Sequence, residues 1–346
     1  MMSPLTTFVK RKKASVLIMA LWILGLLTVF TIQIGLGQQD KITFLSHMNQ
    51  AQSLRFALKS GINKAIGIIK NEPLRNKTKN PVLRSWALYY NPANYKDLNI
   101  NDIDIHIAYP FYEPPAYTPQ TVYGVSDEER RLNLNTEDLK VIKRLLMLVA
   151  HLKEEDAQKL AGHIVDWRQE GQTVLEGFYS DNQYENLEFP YPEKKKPFET
   201  LDELRLVQGM TESIYDKIYD FVTIYGDGKT NLNTASPQVL EVLGFSPTQI
   251  VVINNLRKGV DGKWGTKDDH VYLNIDDFAN ELASALGIKD EELQELNQVI
   301  NAAHFVTDST LFRIVSEGKA IKRREKSSLT CVFDAINVKI LYWHAS

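Results

Sequence analysis

"KRKKASVLIMALWILGLLTVFTIQIGLGQQD", residues 10–40, is the stretch on which the fold turns. Four basic residues, Lys10, Arg11, Lys12 and Lys13, precede an apolar run, and no charged residue follows until Asp40. About 20 apolar residues make a helix of roughly 30 Å, the thickness of a bilayer core. The positive-inside rule leaves the basic block in the cytoplasm and sends the rest of the chain across. An ordinary secretory signal has a shorter apolar core, followed by a small-residue cleavage site. Here the helical pattern does not stop at Asp40. Leu54, Leu58, Ile62, Ala65 and Ile69 recur at spacings of three and four, the buried stripe of an amphipathic helix, and Pro73 marks its end. The pattern predicts one helix from about Ala14 to about Lys70, about 85 Å long. Its first half is lipid-soluble and its second half packs on a soluble body.

Working outward, "NINDIDIHIAY" (99–109) alternates apolar and polar residues, with Ile103, Ile105 and Ile107 on one strand face. "TVYGV" and "RLNLN" flank the polar "SDEER" (126–130) and read as a hairpin around a turn. From Thr136 to about Ala303 the pattern is mainly helical. Leu145, Leu148, Leu152, Leu160, Ile164 and Trp167 support two helices around "KEED", and "LDELRLVQGMTESIYDKIYDFV" reads as two short helices around Gly209. An aromatic and proline-rich excursion, about 170–197, interrupts them and is expected to pack on the domain. "LFRIVSEGKAI", "SLTCVF" and "VKILYWH" return to strand. Strands from both ends of the chain imply a sheet into which the helical region is inserted. Cys331 is the single cysteine, so no internal disulfide forms; with Leu329 and Phe333 it shares a strand face as a packing thiol.

The helical region contains a repeat. Asn133-Leu-Asn-Thr136 recurs as Asn231-Leu-Asn-Thr234, and Val141, Ile142 and Leu145 after the first copy align with Val239, Leu240 and Leu243 after the second. Each copy reads as an extended segment entering a helix. Thr136 and Thr234 are natural caps, with Ser236-Pro237 as an alternative in the second copy. Two related helical units follow from this. The same pattern resembles the helix-hairpin-helix modules of membrane-anchored competence DNA receptors, which gives the alternative function. Those hairpins use glycine-rich turns to aim N–H groups at phosphate. "VAHLKEED" has no glycine and three acids, and "LGFSPTQ" has one glycine, so no nucleic-acid partner is expected.

The formal net charge is −3, which gives no global attraction to nucleic acid. The histidines form no His-Glu-x-x-His pair and there are no paired cysteines, so the chain is not read as an enzyme. One loop, "GVDGKWGTKDDHVYL" (259–273), combines Asp261, Asp268 and Asp269 with Gly259, Gly262 and Gly265. Hard oxygen ligands from a flexible loop suit calcium, and the three aspartates are the candidate ligands.

"KKASVLIMALWILGLL", "DEERRLNLNT", "GHIVDWRQEG", "PFETLDELRLVQGMTESIYDKI", "TNLNTASPQVL", "LFRIVSEGKA" and "ILYWHAS" together, in this order, resemble the general secretion pathway protein K family. Its members are the large minor pseudopilins of type II secretion systems. The resemblance implies an α+β fold, with a pilin-like long N-terminal helix packed on a small antiparallel sheet and a large all-helical insertion. It divides the chain into a basic prepilin leader (1–14), a long helix (15–72, with 15–37 transmembrane), the first part of the body (73–135), the insertion (136–303) and closing strands (304–346). It implies cleavage by prepilin peptidase between Ala14 and Ser15, with methylation of Ser15, although the family leader normally ends in glycine. Most pilin-like subunits carry glutamate at the fifth mature position, where this chain has Met19. The implied role is at the pseudopilus tip, with other minor pseudopilins as partners. The implied location is the inner membrane, single-pass, with a cytoplasmic N-terminus and a periplasmic C-terminal domain.

Overall fold

The structure is a computed structural model that describes residues 11–71, 88–101, 103–113, 118–169, 184, 189–319 and 326–346. The chain divides into two units, 1–56 and 57–346, and the division falls inside the sequence of the first helix, α1 (Arg11–Asn71). In the first unit, Val16–Gly35 is a continuous apolar stretch with mean hydropathy 2.3 and no buried residue. It is long and apolar enough to cross a membrane. The predicted helix is observed with its ends within a few residues of those expected.

In the second unit, the buried stripe of α1 includes Leu58, Ile62, Ala65 and Ile69. It lies on an antiparallel sheet. Gly61 sets how closely the two approach. A Cβ there would fall 2.7 Å from Ile105 Cδ1 and 2.8 Å from Ser316 Oγ, inside any normal contact. The chain next forms α2 (Pro92–Tyr95), β1 (Leu98–Ile100), β2 (Ile103–Tyr112), β3 (Pro119–Tyr123) and β4 (Ser126–Asp127). After the insertion come β9 (Leu311–Lys319), β10 (Lys326–Asp334) and β11 (Lys339–Ala345). The sheet order is β1-β2-β9-β10-β11, with β3 on β2 and β4 on β9. β2 pairs β9 directly, from Asp104↔Lys319 to Ile107↔Ser316. Strands on either side of the helical region therefore close one sheet, as the sequence pattern implied. Alternation in β2 buries Ile103, Ile105 and Ile107. Leu329, Cys331 and Phe333 are buried in β10, and burial pushes the Cys331 thiol up to about 12, as befits a packing residue.

The insertion is two copies of one plan. The first runs β5 (Leu132–Asn133), α3 (Leu139–Leu148), α4 (Glu154–Arg168), a 3-10 turn (Leu201–Leu206), α5 (Glu212–Ile218) and β6 (Val222–Thr223). The second runs β7 (Thr230–Asn231), α6 (Pro237–Leu243), α7 (Pro247–Arg257), α8 (Ile275–Leu286), α9 (Asp290–Ala302) and β8 (Phe305–Val306). In each, the opening strand pairs in parallel with the closing one, β5 with β6 and β7 with β8. The insertion thus adds two short ladders to its helices. Ile142 and Leu145 of the first unit belong to the same buried core as Val239, Leu240 and Leu243 of the second. Of the 170–197 excursion, 170–183 and 185–188 lie outside the described residues. Tyr184 is buried, with its ring 5.5 Å from that of Trp167.

Two local expectations are corrected. The helix caps are Asp138, which accepts from Val141 N, and Ser236, which accepts from Val239 N. These positions are equivalent in the two copies. Thr136 and Thr234 lie two residues earlier, in the turn, where their hydroxyls bond other groups. "SDEER" is not a solvated hairpin turn either. β3 pairs with β2 and β4 with β9, and all five residues are buried.

Candidate functional site

The repeated Asn-Leu-Asn-Thr segment is a backbone-locking device. Asn133 and Asn231 accept, at their side-chain oxygens, the N–H of Asn135 and Asn233. The amide of Asn135 donates to the carbonyls of Phe198 and Ile224 and accepts from Phe198 N. Asn233 repeats this with the carbonyls of Tyr272 and Thr307 and with Tyr272 N. A buried arginine from the end of the second helix completes each copy. Arg168 donates to the carbonyls of Leu134 and Glu137, and Arg257 to those of Leu232 and Ala235. Each turn bends away from its strand, and these side chains satisfy carbonyls that no ladder reaches. The motif is repeated because the same orphaned backbone groups arise twice.

"SDEER" joins these units to the sheet. Glu128 is fully buried. Arg313 of β9 grips it with two bonds, Nε to Oε2 at 2.7 Å and Nη2 to Oε1 at 2.6 Å. Arg131 Nη1 adds a third at 3.1 Å, and Thr223 of β6 donates at 2.6 Å. Burial resists ionisation of Glu128, but the two guanidiniums outweigh it and hold its carboxyl below the usual range. Burial draws Arg131 down to about 10, with Arg313 adding repulsion. Asp127 reaches the second unit, accepting from Asn231 Nδ2 at 2.7 Å and Thr234 Oγ1 at 2.5 Å. The segment therefore bonds β6, β7 and β9 at once. Sequence reading missed it because its partners are distant along the chain.

The structure brings the three candidate calcium ligands into one turn between α7 and α8. Asp268 Oδ2 accepts from the N–H groups of Val260 and Asp261. Asp269 accepts from Gly265 and Thr266, and Asp261 from Lys263. The Thr266 hydroxyl lies 2.7 Å from Asp268 Oδ1 and 3.2 Å from Asp269 Oδ1. Among the described residues no group of three or more His, Cys, Asp or Glu is placed to hold a metal ion. In this arrangement the carboxylates face N–H donors, so they do not form a ligand set as they stand. Trp264 anchors the loop on the body, stacked 6.1 Å from Tyr90 and edge-on to Phe111 of β2 at 5.1 Å.

The hairpins between the paired helices are not phosphate cradles. The first is followed by Glu154, Glu155 and Asp156 in the opening turn of α4, which repel an anion. In the second, Ser246 and Gln249 form a reciprocal capping box that already occupies their own two N–H groups at the start of α7.

Of Ala14 and Ser15 the structure gives the backbone, which is helical and continuous through the junction between them. Residues 1–10 of the leader lie outside the described residues. Met19 is exposed on α1, in the apolar stretch.

Residues 98–227 match the family model of the type II secretion system (T2SS) protein K. This segment belongs to the type II secretion protein K family. The matched protein K region runs from β1 through β6. It contains the "SDEER" segment and the whole first helical unit, and ends just before the second. In fold, the chain is similar to a chain of the crystal structure of the GspK–GspI–GspJ complex from the enterotoxigenic Escherichia coli type 2 secretion system. The likeness has 16% identity and a TM-score of 0.59, and covers 87% of this chain and 98% of that one. No curated protein sequence matches the chain. The protein K region and the pilin-like architecture together support a minor pseudopilin role in type II secretion.

Proposed function

We propose that this chain is a structural, non-enzymatic minor pseudopilin that occupies the tip of the type II secretion pseudopilus, helping to initiate its assembly and the export of folded proteins across the outer membrane. The observation that carries the reading is the protein K region set between an apolar anchor helix and the strands that close its sheet. The basic block at Lys10–Lys13 favours a cytoplasmic N-terminus, an inner-membrane span and a periplasmic body. Prepilin peptidase would cut between Ala14 and Ser15, with methylation of Ser15, and leave α1 as the anchor. Other minor pseudopilins are the proposed partners. The complex similar in fold holds GspK with GspI and GspJ.

Two features favour the tip. A carboxylate in a bilayer core costs about 2.5–3.5 kcal/mol unless paired, and a subunit with no amine terminus ahead of it has nothing to pair it with. An apolar Met19 suits that place. The bulk of the two-unit insertion would also obstruct a subunit stacked above. The test is to label the C-terminal unit and image pseudopili, with mass spectrometry of the mature terminus alongside. Label at one end and a mature chain starting at Ser15 are expected. Label along the filament refutes the tip position, and a terminus near Gly37 refutes the pseudopilin reading.

A further inference from the structure

Asp127 and Glu129 flank Glu128 but lack its guanidinium partners. Their carboxyls converge on one hydroxyl. Ser309 Oγ lies 2.5 Å from Asp127 Oδ1 and 2.6 Å from Glu129 Oε2, with the Leu311 carbonyl at 3.2 Å. A serine hydroxyl has one proton to donate. It cannot donate to two carboxylates, and two bare carboxylates so close to its oxygen would leave one contact repulsive. A second proton therefore belongs in this cluster. Asp127 is already furnished as an anion. Besides Ser309 it accepts from Glu129 N, Asn231 Nδ2 and Thr234 Oγ1. Glu129 Oε2 has only Thr310 N and Ser309. A proton on Oε2 can point at Ser309 Oγ while a lone pair still accepts from Thr310.

Among the described residues no cation pairs directly with either acid, although the Lys229 ammonium feels the Glu129 charge. Asp227 faces Glu129 from the turn before β7, and Lys229 on the same turn is held by Asp227 at 2.6 Å. Tyr109 of β2 faces Asp127. On the acids' own segment, Arg131 is committed to Glu128, as is Arg313 of β9, while Arg130 lies over Tyr109 and Phe111. Asp308 precedes Ser309 and adds a further acid to that loop.

We propose that Glu129 holds a proton in the closed seam on the acid side of neutrality, and that losing it as the pH rises loosens the seam between the sheet and the second helical unit. In the closed seam Glu129 Oε2–H donates to Ser309 Oγ, and Ser309 O–H donates to Asp127 Oδ1. Asp127 in turn holds Asn231 and Thr234 of the second repeat. When the Glu129 proton passes to water, Ser309 serves only one acid and the other is driven away from its oxygen. Burial first, and the negative charge of Asp127 second, push the Glu129 carboxyl up, to about 7. A carboxyl raised on folding adds stability that is complete below its unfolded value and is lost as pH rises through the folded one. The Glu129 contribution therefore fades as pH rises from its ordinary value of 4.5 up to about 7 and is spent above it.

The test compares the full chain in detergent with its Glu129→Gln variant from about pH 5 to about pH 9. With its nitrogen at the Oε2 position the glutamine amide donates permanently to Ser309 but cannot accept from Thr310, a cost that does not change with pH, so the slopes of the two profiles are compared. The wild-type folding constant is expected to fall relative to the variant by up to about tenfold per pH unit between about pH 5 and about pH 7, one proton's worth of linkage, and to level off above that. Hydrogen exchange in peptides covering 229–236 and 306–312, corrected for intrinsic rate, should quicken over the same range in the wild type alone. Parallel pH profiles overturn the proposal. So does a wild type that gains stability relative to the variant as pH rises, since that means the carboxylate is needed. Alkaline wild type stabilised by added calcium, with the effect lost in Glu129→Gln, also overturns it, because a cation then takes the role of the proton.

Discussion

Glu128→Ala tests whether the buried ion cluster joins the insertion to the sheet. The side chain is wholly enclosed and takes four hydrogen bonds, two from Arg313, one from Arg131 and one from Thr223. Removing it leaves Arg313 buried beside an empty space with its charge unmatched. Breaking a buried pair in this way costs about 3–5 kcal/mol. At about 2 °C per kcal/mol for a unit this large, the melting temperature should fall by about 6–10 °C. Thermal unfolding of the full chain in detergent measures it. The partner experiment is Glu128→Met with Arg313→Met, which replaces the ion pair by apolar volume. The double variant should melt closer to wild type than Glu128→Ala does, because most of the single loss comes from stranding a charge. The pH dependence has a definite sign. Burial pushes the Glu128 carboxyl up, but Arg313 and Arg131 together bring it below its ordinary 4.5. Its contribution is complete above that value and is lost as pH falls through the depressed one. The gap between wild type and Glu128→Ala should therefore close in acid. A fall of less than about 2 °C at neutral pH, or a gap that widens in acid, would refute the reasoning.

Asn135→Ala and Asn233→Ala should each cost about 2–3 kcal/mol, since each removes three hydrogen bonds to backbone. Chemical denaturation measures both, and a neutral result at either position would show that the repeat is not built on equivalent locks. Calcium at Asp261, Asp268 and Asp269 is a proposal of a different kind, because the ion must draw Asp268 and Asp269 away from the N–H groups they now accept. At a hundredfold excess over its dissociation constant it would add about 2.7 kcal/mol, seen as a rise in melting temperature that Asp268→Ala with Asp269→Ala abolishes. Identical wild-type curves in calcium and in chelator would refute the site.

What could be read in the sequence divides by range. The long apolar helix declares itself because hydropathy is a local property. The strands of the sheet show in the same way, since alternation in "IDIHI" records which face is covered. The repeat was legible because two copies carry the same solution, and comparing them separates necessity from accident. Even the caps could have been read from it. Asp138 and Ser236 occupy equivalent places and both are good cap residues, whereas the eye goes to the identical threonines two positions earlier.

"SDEER" failed for the opposite reason. Five polar residues between apolar runs look like a solvated turn, and composition alone supports that view. Its reversal depends on Arg313, Thr223, Asn231 and Ser309, all far along the chain and none part of a recognisable spacing. Only closure of β2 onto β9 carries Arg313 to Glu128, and only the second repeat carries Asn231 to Asp127. A buried charge is specified by its partners, not by its neighbours. The physical consequence is that a domain inserted between two strands needs polar groups at the seam. The ladders β5–β6 and β7–β8 end there and leave backbone groups that apolar packing cannot satisfy. Asp127, Glu128 and Glu129 are consecutive because each must bond a different element meeting at that point: the second helical unit, the arginine of β9, and the loop leading into β9. A substitution at this seam should therefore disturb how the insertion is held more than how either part folds, and no inspection of residues 126–130 by themselves could have shown it.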